Sequence, residues 1–282
     1  MKFRYDKKEQ RNIIKSKVFS YHHQSNQYEE FNMKLRTFLL TLFITFMSAI
    51  PSQAETVYLS VAASMTEAFK EIISTFSSTH PEAKILPNFA SSGSLAKQIN
   101  QGAPAHIYVS ANPKWMKFLV EKEMIAKGTD HIFAYNKLVF VAPEKTTIKN
   151  MEDVKDLSLI AIGSPNSVPA GQYAKQAMEA TGIYAHLEST KKLVMAKDVR
   201  QALLYADRGE VDGSFVYKTD ALLARNAKIL FTVPDDRYNR VAYPLALTKT
   251  GLVNKAAQDF YSFMSTPDAV NILKKYGFEP AL

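Results

Sequence analysis

The sequence predicts an α/β protein of two lobes, each a mainly parallel sheet flanked by helices, with a ligand cleft between them. Three observations carry this. Short apolar runs alternate with helical patterns from residue 57 onward, the arrangement that builds parallel sheets with crossover helices. A polar stretch at 143–147 (PEKTT) interrupts the alternation, which then resumes as a second series. After a further polar run at 234–240, one strand and two helices close the chain, so its last segment is free to rejoin the first series.

The first series opens with an apolar strand at 57–63 (VYLSVAA). The helix after it carries Met65, Ala68, Phe69, Ile72, Ile73 and Phe76 at i, i+3, i+4, i+7 spacing. Residues 84–90 (KILPNFA) and 107–110 repeat the strand signal, with helices expected near Ser94 and at Asn112-Pro113. Asn there is a suitable N-cap, and Pro at the next position loses nothing because that NH has no helical partner. Residues 137–142 (KLVFVA) form the next strand. The second series reads as strand 157–163, helix 169–181, short strand 192–196, helix 199–208, strand 213–217 and part of a helix at 220–224. The last strand is expected at 243–248, and the final helix has Thr266 as N-cap and Pro267 behind it. The expected lobes are 55–138 with 243–282, and 139–242, joined by crossings near 137–142 and 236–247.

Residues 33–54 read as a cleavable secretory signal peptide rather than as part of this fold. Lys34 and Arg36 precede a mainly apolar region of thirteen residues at 38–50 (FLLTLFITFMSAI), and Ser52-Gln53-Ala54 is a small-x-small site, placing cleavage after Ala54. A membrane span needs about 20 such residues. Residues 1–32 would make the basic region abnormally long and are expected to be an upstream extension absent from the mature protein. Residues 1–54 hold 9 of the 35 Lys and Arg and 4 of the 27 Asp and Glu, so the net charge of +8 falls to +3 beyond them. No basic stripe supports nucleic acid as a partner. The chain has no Cys, which excludes disulfides, thiolate metal sites and a lipid-anchored cysteine.

The chemistry lies at the helix starts. The first NH groups of a helix lack internal partners and carry the positive end of its dipole, so several starts converging on one point bind an anion without a charged side chain. Ser64 ends the first strand. Its Ser-x-x-Glu spacing to Glu67 also fits a capping box, so it is either a cap or a ligand. The segment at 90–94 (ASSGS) sets three hydroxyls and a flexible Gly before a helix. Ala170 follows Pro169 and has a free NH. Val199 follows Asp198, the expected N-cap, and its side chain fits an apolar stripe with Ala202, Leu203 and Ala206 while its NH stays available. Tyr217 ends a strand and is either core or a phenol donor to the cleft.

Seven segments bear a family likeness: 62–66 (AASMT), 89–99 (FASSGSLAKQI), 102–105 (GAPA), 110–116 (SANPKWM), 168–174 (VPAGQYA), 198–200 (DVR) and 216–221 (VYKTDA), with KYGF at 275–278. In this order they resemble the periplasmic molybdate-binding proteins of ABC importers. The resemblance implies a type II periplasmic binding protein fold. It implies a monomer that binds molybdate, and also tungstate, and delivers it to a membrane permease, with no cofactor, no protein-coordinated cation and no catalysis. It assigns the ligand roles to Ser64, Ser92, Ala170, Val199 and Tyr217. Where the family reads Ala-Pro-Ala-Asp, this chain has His106 after Ala105, a group that titrates near neutral pH.

A site of donors alone suits a fully deprotonated tetrahedral dianion, whereas hydrogen phosphate needs an acceptor for its proton. Sulfate satisfies the same chemistry and is the alternative ligand. A serine acyl-enzyme is a second alternative, because Ser94-x-x-Lys97, Ser164-x-Asn166 and Lys249-Thr250-Gly251 follow the order of penicillin-interacting enzymes. A ferric receptor would need clustered ligands, and His80, His106, His131 and His186 are scattered in the sequence.

Overall fold

Residues 32–40 and 55–281 are those described by the computed structural model. The upstream extension up to residue 31, most of the leader and the cleavage site after Ala54 lie outside them. Residues 32–40 form a helix in which Thr37 Oγ1 donates to the Met33 carbonyl at 2.8 Å. They belong to a unit separate from the one that begins at Ala54. Among the described residues no helix is long and apolar enough to cross a membrane.

From Glu55 the chain builds β1 (Glu55–Ala62), a short 3-10 turn (Ala63–Met65), α1 (Thr66–Thr79), β2 (Ala83–Ala90), α2 (Ser92–Asn100), β3 (Ile107–Val109), α3 (Pro113–Glu121) and β4 (His131–Asn136). It then runs through β5 (Leu138–Pro143), β6 (Ile160–Gly163), α4 (Pro169–Ala180), α5 (Tyr184–Ser189), β7 (Leu193–Ala196), α6 (Val199–Asp207), β8 (Gly213–Tyr217), α7 (Lys218–Ala221) and β9 (Ala227–Thr232). It closes with β10 (Val241–Leu247), α8 (Lys255–Phe263), α9 (Pro267–Lys275) and β11 (Glu279–Pro280).

These strands form two sheets, ordered β11-β4-β10-β3-β1-β2 and β7-β6-β8-β5-β9, the cores of two lobes. In the first, β1 pairs in parallel with β2 and β3, while β10 runs antiparallel between β3 and β4. In the second, β6 pairs in parallel with β7 and β8, and β5 runs antiparallel between β8 and β9. The antiparallel placement of β5 and β10 follows from chain routing: β5 enters the second sheet directly from β4, and β10 brings the chain back, while β11 also pairs antiparallel with β4. The ends of β1, β2 and β3 lie on one edge, as do those of β6, β7 and β8, and at those ends of α/β sheets ligands bind.

The central strand β10 is wholly buried, and β1 is buried over its last four residues, as expected of strands covered on both faces. On one face of the first sheet, Phe69 and Phe76 of α1 meet Phe260 of α8, with the Phe76 and Phe260 rings edge-to-face at 5.1 Å. Burying each such ring stabilises the fold by about 1.5–3 kcal/mol. On the other face Leu95, Ile99, Trp115 and Leu119 form a separate cluster under α2 and α3.

Several element expectations need correction. The capping box at Ser64 is absent: Ser64 lies inside the 3-10 turn, Met65 occupies the N-cap position of α1, and no side chain caps that helix. The helix expected near Ser94 starts two residues earlier, at Ser92. The helical piece expected at 220–224 is α7, over Lys218–Ala221. The strand expected from residue 157 begins at Ile160, because the NH groups of Ser158 and Leu159 are taken by the Asp212 carboxylate at 2.7 and 2.9 Å. The expected caps do form at Asn112, Asp198 and Thr266, whose side chains accept from Lys114, Gln201 and Ala269 NH groups respectively.

Candidate functional site

Helix starts from both lobes face one narrow pocket. Its lining is Ala62–Ser64 from the turn after β1, Ser91 and Ser92 at the start of α2, Ala111, Val168–Ala170 at the start of α4, Asp198 and Val199 at the start of α6, and Tyr217 at the end of β8. Ala170 is the second residue of α4 and Val199 the first of α6, so both NH groups belong to the set that helix geometry leaves unpaired. The approach of α4 to its sheet depends on glycine: a Cβ on Gly171 would lie 1.6 Å from the Gly163 carbonyl oxygen.

The two serines are held from behind. Ser92 is fully buried, and its Oγ accepts the Ala111 NH at 2.9 Å while its carbonyl accepts the Tyr108 hydroxyl at 2.8 Å. An oxygen that receives a hydrogen bond from a backbone NH keeps its own proton for another partner. Ser64 Oγ lies 3.0 Å from Tyr243 Oη, and Asn136 Nδ2 donates to that same Tyr243 oxygen at 3.2 Å. The Tyr217 hydroxyl is buried with no hydrogen-bond partner among the described residues. An orphaned buried donor of this kind is rare without a function. Burial above all, with the neighbouring Tyr243, Tyr173 and Asp220, holds the phenol protonated far above its ordinary range.

Arg200 and Asp220 lie beside this pocket. Arg200 Nε is 2.7 Å from Asp220 Oδ1. Its single proton is aimed at the Ala63 carbonyl at 3.3 Å, so the contact with Asp220 is charge pairing without an aligned hydrogen bond, and neither Asp220 oxygen has a hydrogen-bond partner among the described residues. Arg200 Nη2 also donates to the Ser64 carbonyl at 3.2 Å. These bonds run from α6 of the second lobe to the turn after β1 of the first. Others also cross between the lobes, among them Gly93 NH to Ser167 O at 2.9 Å, Asn112 Nδ2 to Gln172 Oε1 at 3.3 Å, Tyr173 Oη to Ala111 O at 3.4 Å and Asn136 Nδ2 to Thr219 Oγ1 at 2.9 Å. A Cβ on Gly93 would sit 2.6 Å from Ser167 O and 2.5 Å from the Trp115 ring, so this close approach requires glycine.

Comparison with known proteins decides the family. The model of the bacterial extracellular solute-binding proteins matches residues 57–279. The chain belongs to that family. Among its relatives, the molybdate-binding protein ModA of Haemophilus influenzae is 35% identical over 252 residues, spanning 87% of this chain and 97% of the relative. ModA of Escherichia coli is 36% identical over 225 residues, spanning 77% of this chain and 86% of the relative. Among solved structures, the periplasmic molybdate-binding protein of Azotobacter vinelandii superposes with a TM-score of 0.70 at 24% identity, covering 79% of this chain and 98% of that one. That likeness establishes the two-lobed fold.

In this solute-binding protein, all five residues singled out in the sequence, Ser64, Ser92, Ala170, Val199 and Tyr217, line the one pocket. Four residues with a part in it were not singled out: Tyr243, Asn136, Arg200 and Asp220. Arg200 and Asp220 do fall inside segments that carry the resemblance. Tyr243 left a fainter signal, a hydroxyl on the otherwise apolar strand VAYPLAL. His106 stands away from the pocket. Its Nδ1 accepts the Tyr58 NH at 3.3 Å, and burial lowers its pKa against the opposing pull of Glu55. Side chains of the acyl-enzyme segments have other partners. Ser94 Oγ accepts from Ser91, Lys97 Nζ lies over the Trp115 ring and Lys249 pairs with Glu123. Among the described residues no group of three His, Cys, Asp or Glu is placed to hold a metal ion.

Proposed function

We propose that this chain is a periplasmic receptor that captures molybdate, and tungstate with it, through neutral hydrogen-bond donors and passes it to the permease of an ABC importer. The observation that carries the reading is the buried, unpartnered Tyr217 hydroxyl, facing the same pocket as two serine hydroxyls and two helix starts. The relatives named for molybdate binding support the choice of ligand. Ser64 and Ser92 contribute hydroxyls, Ala170 and Val199 contribute NH groups, and Tyr217 contributes its phenol proton. Each hydrogen bond to a charged group contributes about 1.5–3 kcal/mol net, so several together offset the cost of desolvating a dianion.

The receptor acts as an exported monomer, released by cleavage after Ala54, with no cofactor and no catalytic step. Its lobes, drawn near 55–138 with 243–282 and at 139–242, close on the ligand about the two chain crossings. The closed form is what the permease receives.

The test is the thermal unfolding midpoint of protein stripped of ligand by unfolding and refolding, measured with molybdate, tungstate, sulfate, phosphate and nitrate at equal concentration. A ligand that binds only the native state raises the midpoint by mass action. Molybdate and tungstate should raise it strongly and the others little. A larger shift with sulfate, or none with molybdate, would overturn the assignment and leave the fold untouched.

A further inference from the structure

We infer that Tyr243, backed by Asn136, fixes the Ser64 hydroxyl as an obligate hydrogen-bond donor toward the pocket and thereby sets the preference for a fully deprotonated oxyanion over a protonated one. The inference rests on the reading of this pocket as an oxyanion site and assigns a positioning role to two residues outside its lining.

Asn136 Oδ1 accepts the Lys137 NH at 2.8 Å, which fixes the orientation of the amide. Its Nδ2, a pure donor, then gives one proton to Thr219 Oγ1 at 2.9 Å and the other to Tyr243 Oη at 3.2 Å. Tyr243 Oη thus receives a hydrogen bond from behind. The remaining partner of this hydroxyl is Ser64 Oγ at 3.0 Å, so the phenol proton points to the serine. Ser64 Oγ accepts it, and the serine's own proton is left for the pocket that Ser64 lines. The side chains of Ser64, Tyr243, Asn136 and Thr219 are all buried, and reversing the Ser64–Tyr243 bond would leave a buried donor unpaired.

The consequence is selectivity. A protonated oxyanion such as hydrogen arsenate must give its proton to an acceptor, and the relay denies it Ser64. Molybdate, with no proton to place, is served by a fixed donor. In Tyr243→Phe the ring remains and the relay is cut, so Ser64 is free to turn and accept.

Calorimetric titration of the full chain with sodium molybdate and sodium hydrogen arsenate at pH 8 tests this in the wild type, Tyr243→Phe, Ser64→Ala and the double variant. Tyr243→Phe should weaken molybdate about tenfold, the effect of one hydrogen bond, and narrow the gap between molybdate and arsenate. In the Ser64→Ala background the same change should do neither, because its effect passes through Ser64. Asn136→Asp, which turns the donor behind Tyr243 into an acceptor, should weaken molybdate further than Tyr243→Phe.

Equal losses in both backgrounds, or Tyr243→Phe titrating like the wild type, would overturn the inference alone. If Ser64→Ala binds too weakly to titrate, the molybdate-to-arsenate ratio of Tyr243→Phe decides: a narrowed ratio supports the relay and an unchanged one overturns it. A wild type that binds no oxyanion would overturn the functional reading and the relay's role with it.

Discussion

Asp220 is the only Asp, Glu, Lys or Arg side chain fully buried among the described residues. Burial pushes its pKa from 3.8 up to about 7, against the pull of Arg200 and with a smaller push from Asp198. The folded protein therefore holds a proton that the unfolded chain releases near pH 4. The stability this contributes is complete below about pH 4 and is lost as pH rises through 7. Asp220→Asn stays neutral at every pH, so relative to the wild type it should gain about 2 kcal/mol in unfolding free energy between pH 5 and pH 8. Urea unfolding at the two pH values measures this, and an unchanged difference would show that Asp220 is ionised throughout. Residues of this kind were hard to read in the sequence. Ser64, Ser92, Ala170, Val199 and Tyr217 announce themselves as hydroxyls or NH groups at strand and helix ends. Asp220 and Tyr243 act only because distant segments meet, and no local pattern encodes the burial of an acid or a partner 179 residues away.

The N-caps bear on the pocket unequally. Asp198 accepts the Gln201 NH at 2.9 Å and holds the first turn of α6, where Val199 faces the pocket. Thr266 makes the corresponding contact with Ala269 at 3.5 Å on α9, whose residues do not line it. Substituting either cap by Ala should cost about 1 kcal/mol of stability. Only Asp198→Ala should also weaken molybdate, and a comparable loss in Thr266→Ala would mean that general loosening, rather than the helix start, governs binding. These caps were legible because Asn, Asp and Thr before a helical pattern have a local mechanism. The elements that escaped notice lack one. β9 alternates irregularly between buried and exposed residues at the edge of its sheet, β11 has two residues, and α5 is a six-residue helix. β4 (HIFAYN) mixes polar and apolar residues, because it packs between β10 and β11 rather than in the sheet centre.

Across the whole molecule, the two lobes meet through bonds that involve segments lining the pocket. Arg200 ties α6 to the carbonyls of Ala63 and Ser64, and Gly93, next to Ser92, reaches Ser167. The pocket therefore lies where the lobes meet, so under the proposed function ligand capture would be coupled to the shape presented to the permease. The two-series pattern made the lobes readable from sequence, but the second sheet begins with β5, before the polar break at 143–147. The antiparallel placement of β5 and β10 was not readable, because it follows from the direction in which the chain crosses between sheets. The central claim is that neutral donors from both lobes enclose a deprotonated oxyanion. The most direct measurement is a crystal of the protein with tungstate, with diffraction recorded at the tungsten edge. One strong anomalous peak should lie among Ser64 Oγ, Ser92 Oγ, Tyr217 Oη and the NH groups of Ala170 and Val199. A peak elsewhere, or none at saturating tungstate, would contradict it.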